Sequence, residues 1–156
     1  MGVLVCAGCA AFSSDSDVQR ATQGPTADEI YMTRFVRGYA RLPTFDEKQA
    51  WRADLDNRVS DYFVKRPDVG TSALATQFRF YRRVQVGMSR EEVTLLLGPA
   101  EATTTDAKLM ETAAKKFWPQ VKEHAREMWI YPGAWQLYFD GDRLVDLTVA
   151  GKPPLE

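Results

Sequence analysis

The stretch from Trp135 to Val149 constrains this 156-residue chain more than any other. Trp135, Leu137 and Phe139 alternate with Gln136 and Tyr138; after Asp140-Gly141-Asp142 the alternation resumes, with Val145, Leu147 and Val149 set against Asp146 and Thr148. Successive side chains of a strand point to opposite faces, so two such runs around turn residues read as a β-hairpin. A one-residue slip turns a strand over, and the two apolar sets therefore share a face only across an odd loop. Asp140-Gly141-Asp142 supplies a three-residue loop, a common hairpin class. The expected core face carries Trp135, Leu137, Phe139, Val145, Leu147 and Val149. The opposite face carries Gln136, Tyr138, Leu144, Asp146 and Thr148, one aromatic among polar groups, which is the composition of a moderate-affinity partner surface. In the alternative reading, an inserted helix starting near Asp106 covers that face and makes it interior.

Upstream, two helix starts are written in the same local code. Thr26-Ala27-Asp28-Glu29 and Thr44-Phe45-Asp46-Glu47 are capping boxes, in which hydroxyl and carboxylate satisfy each other's orphan backbone amides. The first helix is expected to reach about Leu42, where Pro43 stops it. The second carries Trp51, Leu55, Val59, Tyr62 and Phe63 as one apolar stripe until Arg66-Pro67, and such a stripe reads as core. A third helix is expected from Thr71 to about Arg83, with Leu74, Phe78 and Tyr81 beside Arg79, Arg82 and Arg83. Interleaved arginines and aromatics can bind nucleic acid, but 20 basic against 21 acidic residues give a net charge of -1 and no electrostatic case for it.

The fourth start is the most specific: Val86-Gly87-Met88-Ser89-Arg90-Glu91-Glu92-Val93-Thr94-Leu95-Leu96-Leu97-Gly98-Pro99. Ser89 and Glu92 form the box, Met88 and Val93 occupy the staple positions, and Gly98-Pro99 ends the helix. This phrase, followed by Trp129-Ile130-Tyr131 and the closing hairpin, resembles the SmpA/OmlA (BamE-like) family of outer-membrane lipoproteins over about residues 84 to 150. The resemblance implies an α+β module with a three-stranded antiparallel sheet, facing the periplasm and bound to protein partners, among them the β-barrel assembly machine. Residues from Gly98 to Met128 are longer than the family shows and read as a helical insertion, about 105–126, with Met110, Ala113, Ala114, Phe117 and Val121 on one side. Pro119 is expected to kink or split it.

The N-terminus supplies an address. Met1 to Phe12 has no charge and is too short to span a bilayer, which needs about 20 apolar residues. Ala7-Gly8-Cys9 resembles the bacterial lipobox, with Cys9 as the lipidated residue and Cys6 lost with the signal. Ala10, where an Asp would signal inner-membrane retention, points to the outer membrane. Two other readings remain open: a buried apolar N-terminal strand, and acylation at Gly2 with palmitoyl Cys6. Ser13 to Pro25 has a tether's composition, with a root-mean-square span of roughly 20 Å.

The chain thus divides into a signal remnant (1–8), a lipidated Cys and tether (9–25), a helical N-terminal part (26–83) and the α+β module (84–151). The fold class is α+β: N-terminal helices, a short capped helix and a three-stranded antiparallel sheet packed on helices. No phosphate loop, dinucleotide fingerprint or metal-ligand spacing occurs, and the single imidazole, His124, lies in a charged run that reads as an exposed helix end. No catalytic residue, metal or cofactor is expected. The expected function is a non-catalytic binding or scaffold lipoprotein in outer-membrane assembly or envelope maintenance; the alternative is a small envelope hydrolase, since two distant carboxylates can escape a sequence reading, or a lipoprotein of unrelated function.

Overall fold

The computed structural model describes residues 18–151, so Cys6, Cys9 and the proposed lipobox lie outside the described residues. In chain order the elements are β1 (Val18–Ala21), β2 (Gln23–Thr26), α1 (Ala27–Tyr39), α2 (Phe45–Lys65), α3 (Pro67–Gly70), a π-helical turn (Gln77–Tyr81), β3 (Arg83–Gln85), α4 (Arg90–Leu97), β4 (Ala102–Thr104), α5 (Ala107–Ala114), a 3-10 turn (Lys115–Phe117), α6 (Trp118–Val121), β5 (Glu127–Tyr131), β6 (Trp135–Asp140) and β7 (Arg143–Ala150). The architecture is mixed α+β.

The sheet has five antiparallel strands, in the order β1-β7-β6-β5-β4, rather than three. The β5-β6-β7 meander is its centre. Two short strands close its edges, and neither has an apolar alternation of its own. β1 pairs with β7, Val18 opposite Ala150, and Arg20 reaches across to Asp146 at 2.8 Å. The last part of the expected tether is therefore structured: Val18–Ala21 is edge strand, and β2 pairs with β3 in a second, two-stranded sheet. An edge strand is made by the backbone groups of its neighbour, which its own polar composition does not reveal.

The hairpin reaches the required parity by a different route. Asp140 pairs with Arg143, so the loop is the two residues Gly141-Asp142, not three, with Gly141 at φ +56°. An even loop alone would set the two apolar runs on opposite faces. A bulge corrects it: Phe139 faces Leu144 while Tyr138 faces Asp146, which leaves Val145 as an extra residue on β7. Leu144 consequently joins Phe139, Leu137 and Leu147 in the main core, and Val145 packs on the other face.

All three expected capping boxes form with both reciprocal bonds. α1 ends at Tyr39 with Ala40 in the left-handed region, three residues before Leu42. The helix expected from Thr71 is instead a turn and the π-helical turn that buries Phe78, with Arg83 already in β3; the four-residue α3 ends before it, at Gly70. The inserted helix is interrupted at Lys115 (φ +50°), not at Pro119, which sits in the first turn of α6 where its missing N–H costs nothing.

The main core joins both halves of the chain: Ile30, Leu55, Val59, Tyr62, Phe63 and Phe78 pack with Val93, Leu96, Leu97, Leu137, Phe139 and Leu147. Residues 26–83 are therefore not an independent unit. Within this core the Tyr62 hydroxyl donates to Glu92 Oε1 at 2.9 Å while Glu92 Oε2 accepts the Ser89 amide, so the buried carboxylate that caps α4 also anchors α2.

Candidate binding groove between the two N-terminal helices

The face expected to bind a partner is interior. Tyr138 and Thr148 are fully buried, Asp146 is buried, and Gln136 is half-buried. The insertion covers them: Met110, Ala114, Val121 and Ala125 form a second core with Met128 and Tyr138, flanked by Ala113, Phe117, Trp118, Ile130 and Val145. Leu144 belongs to the opposite face, for the reason of register given above. The polar groups of this face satisfy one another. The Thr148 hydroxyl donates its single proton to Gln136 Oε1 at 3.1 Å, so the Tyr138 hydroxyl is the donor in its 2.9 Å bond to Thr148. Asp146 is held by Arg20 and by the Leu147 amide. Such closed pairing is what burial of polar groups requires.

Burial pushes the phenols of Tyr62 and Tyr138 up to about 12, and it raises that of Tyr131 as well. For Tyr62 the bond to Glu92 adds to the effect. A raised phenol pKa means that the neutral form is favoured by folding. This stabilisation is complete below the ordinary phenol value of 10 and is lost as pH climbs through about 12. In an alkaline titration followed by tyrosinate absorbance, three of the six tyrosines should ionise late and together with loss of near-ultraviolet circular dichroism. Six independent ionisations near the ordinary value would show that these hydroxyls are solvated.

An open site exists elsewhere. α1 and α2 both pack on α4 but are splayed apart, leaving a groove of about 600 Å³ between them, floored by Leu95, Leu96 and Leu97. Its walls are aromatic. Tyr31, Phe35 and Tyr39 recur every fourth residue along α1, which stacks them on one side of the helix; their ring centroids are 5.7 and 4.5 Å apart in succession. From α2, Trp51 lies flat on Tyr31 at 4.3 Å, and the helices are further tied by Arg52 to Asp28 at 2.9 Å. Trp51 is thus a half-buried wall residue, whereas Leu55, Val59, Tyr62 and Phe63 of the same stripe are core.

Two arginines close the groove's end at α4. Arg34 donates to the carbonyls of Leu97 and Pro99, and Arg58 donates to that of Leu95 at 3.1 Å. The Leu95 and Leu97 carbonyls are orphan acceptors of the α4 C-terminus, where a cation is also favoured by the dipole, and that of Pro99 lies just beyond it. Glu47, on the groove wall, is held at about 2 chiefly by the Arg41 guanidinium and also by the Thr44 amide, so it remains a carboxylate throughout the ordinary range. The four-residue spacing of Tyr31, Phe35 and Tyr39 was a readable signal of an aromatic wall. The splay that opens it was not, because it depends on how each helix meets α4.

Among the described residues no group of three or more His, Cys, Asp and Glu side chains is placed to hold a metal, and no helix is long and apolar enough to cross a membrane. His124 is exposed beside Glu123. No protein-family model, curated protein or solved structure matches this chain.

Proposed function

We propose that the chain is a lipid-anchored, periplasm-facing lipoprotein of the outer membrane that acts as a non-catalytic docking module, with the α1–α2 groove as its protein-binding site. The observation that carries the docking role is the groove itself. It presents a stacked Tyr31–Trp51 pair and the rings of Phe35 and Tyr39 at an open surface, beside fixed charges on Glu47, Arg34 and Arg58. Large, rigid aromatic side chains with polar groups at hand are the usual anchors of protein recognition. A groove between two helices with an apolar floor suits an amphipathic helix or short apolar segment of a partner. The SmpA/OmlA resemblance supplies the proposed setting, β-barrel assembly or maintenance of the envelope.

Two experiments separate the parts of this reading. Radiolabelled palmitate should enter the protein made with its full upstream reading frame, and Cys9→Ala should abolish both label and membrane fractionation; persistence of the label in Cys9→Ala with loss in Cys6→Ala would place the lipid elsewhere. For the groove, Ala50 is an exposed wall residue, so Ala50→Glu introduces a charge there with little effect on melting. Recovery of a β-barrel assembly protein from envelope membranes should fall at least tenfold in this variant. Undiminished recovery would remove the groove from the proposal.

A further inference from the structure

We propose that the α1–α2 turn is a membrane-contacting tip, in which Leu42 and Phe45, flanked by Val36 and Tyr39, seat in the interfacial layer of the bilayer. The inference goes beyond the groove, and it rests on the proposed lipid anchor, which brings a bilayer to this end of the molecule.

Every residue from 39 to 46 is exposed except Pro43, which is half-buried. Within that run Tyr39, Leu42 and Phe45 are 66%, 69% and 75% exposed, and Val36 adds a fourth apolar side chain one turn back on α1. Large apolar side chains gathered on a projecting turn, rather than scattered singly, mark an interaction surface. The two arginines nearest them are paired, while Asp46, next to Phe45, is exposed. Arg41 makes two bonds to Glu47, at 2.8 and 2.7 Å, and lies over the rings of Phe35 and Tyr39 at 5.0 and 5.7 Å; Arg37 is paired with Glu101. The arginines can therefore approach the headgroups with their charge balanced, and aromatic rings beside an arginine are the composition favoured at that level.

Position selects a bilayer over a protein partner. The chain enters the fold at Val18, opposite Ala150, and the register runs from there through Val149 and Trp135 to Tyr131 at the same end of the sheet. The Tyr131 hydroxyl donates to the Gly98 carbonyl, and Arg34 and Arg37 of α1 are bound to Leu97, Pro99 and Glu101 at that end. The second half of α1, and the turn beyond it, therefore lie at the end of the molecule from which residues 1–17 depart. Nine residue steps lead from Cys9 to Val18, a reach of at most roughly 30 Å. An anchor at Cys9 would thus keep this end of the molecule within reach of the lipid. Tethering also raises the local concentration of the tip at the surface, so a handful of apolar residues suffices where free association would be weak.

The test uses the full chain with Cys6→Ala and Cys9→Ala, carrying an N-terminal tag of histidines, captured on vesicles of phosphatidylethanolamine with a minority of phosphatidylglycerol and a trace of nickel-chelating lipid. An environment-sensitive fluorophore is attached at Leu42→Cys or, for comparison, at Val64→Cys, an exposed site at the far end of α2. Capture should shift the emission at position 42 to the blue, and lipid-borne nitroxide should quench it several-fold more than at position 64; adding Phe45→Glu should remove the difference. Equal quenching at the two positions would overturn the proposal. A blue shift at position 42 before vesicles are added, with a doubled mass in light scattering, would also overturn it and assign the tip to a second copy of the chain. Because the tag replaces the acyl group, this outcome is independent of whether Cys9 is lipidated.

Discussion

Tyr138→Ala should lower the stability of the fold by roughly 3 to 5 kcal/mol, the usual range for removing a large aromatic side chain from a core. The ring fills the space between the sheet and the insertion, where it packs with Met110, Ala114, Val121, Ala125 and Met128. Its hydroxyl donates to Thr148, so truncation also removes a bond in a place water does not reach. Leu144→Ser acts on the opposite face, emptying a position beside Phe139 in the main core and burying a hydroxyl there. Together the two changes approach the whole stability of an ordinary domain, about 5 to 15 kcal/mol. Urea titration of the single variant should show a midpoint well below wild type, and the double variant should lack a cooperative transition at room temperature. Tyr138→Phe, which keeps the ring, should lose only about 1 kcal/mol. A double variant that melts with the wild type would mean that the insertion does not cover this face in solution.

Gly98→Val should be nearly as damaging, for a reason of backbone geometry. Gly98 ends α4 at φ +73° and ψ -170°, a region of positive φ with extended ψ that is essentially restricted to glycine. It is not the left-handed helical conformation common after helices, and no other residue reaches it without strain. A β-carbon there would also stand 2.9 Å from Arg34 Nη1, the group that binds the Leu97 carbonyl. Arg34 would have to release α4's last carbonyls, so strain and lost charge-assisted bonds add to about 3 to 5 kcal/mol. Ser89→Ala, at the other end of the same helix, removes a cap worth about 0.5 to 2 kcal/mol. Chemical denaturation should rank the three proteins wild type, Ser89→Ala, Gly98→Val. Equal loss in the two variants would mean that the Arg34 clasp contributes nothing.

What could be read from the chain was local, and what could not was set at a distance. Thr26 with Glu29, Thr44 with Glu47 and Ser89 with Glu92 all form their reciprocal bonds because each pair is decided within four residues. The central meander was legible for a similar reason: its alternation is long and its strands are consecutive. β1 and β4 were not, since Val18–Ala21 and Ala102–Thr104 take their extended form from the free edges of β7 and β5. The break at Lys115 has no signal in its neighbours, whereas Pro119, which has a strong one, falls where a helix start tolerates it. The partner face failed through the covering helix: alternation tells which residues share a face, but not whether solvent or the Met110 side of α5 lies over it. The groove stood half-way, its aromatic wall visible at four-residue intervals and its opening invisible.

The bulge at Val145 works as a parity bit. With a two-residue turn at Gly141-Asp142, leaving Val145 out of the pairing is what returns Leu147 and Val149 to the face of Leu137 and Trp135. Loss of Val145 alone would trim the bulge and nothing else: Leu144 would still face Phe139, Asp146 would face Tyr138 and Leu147 would face Leu137, so the Arg20 pairing, the Tyr138 bond and the aliphatic side chains would each stay on their own side. A residue added within β7 that no second bulge absorbs would instead turn the rest of the strand over, so this hairpin tolerates a change of one residue only where a bulge takes it up or gives it back.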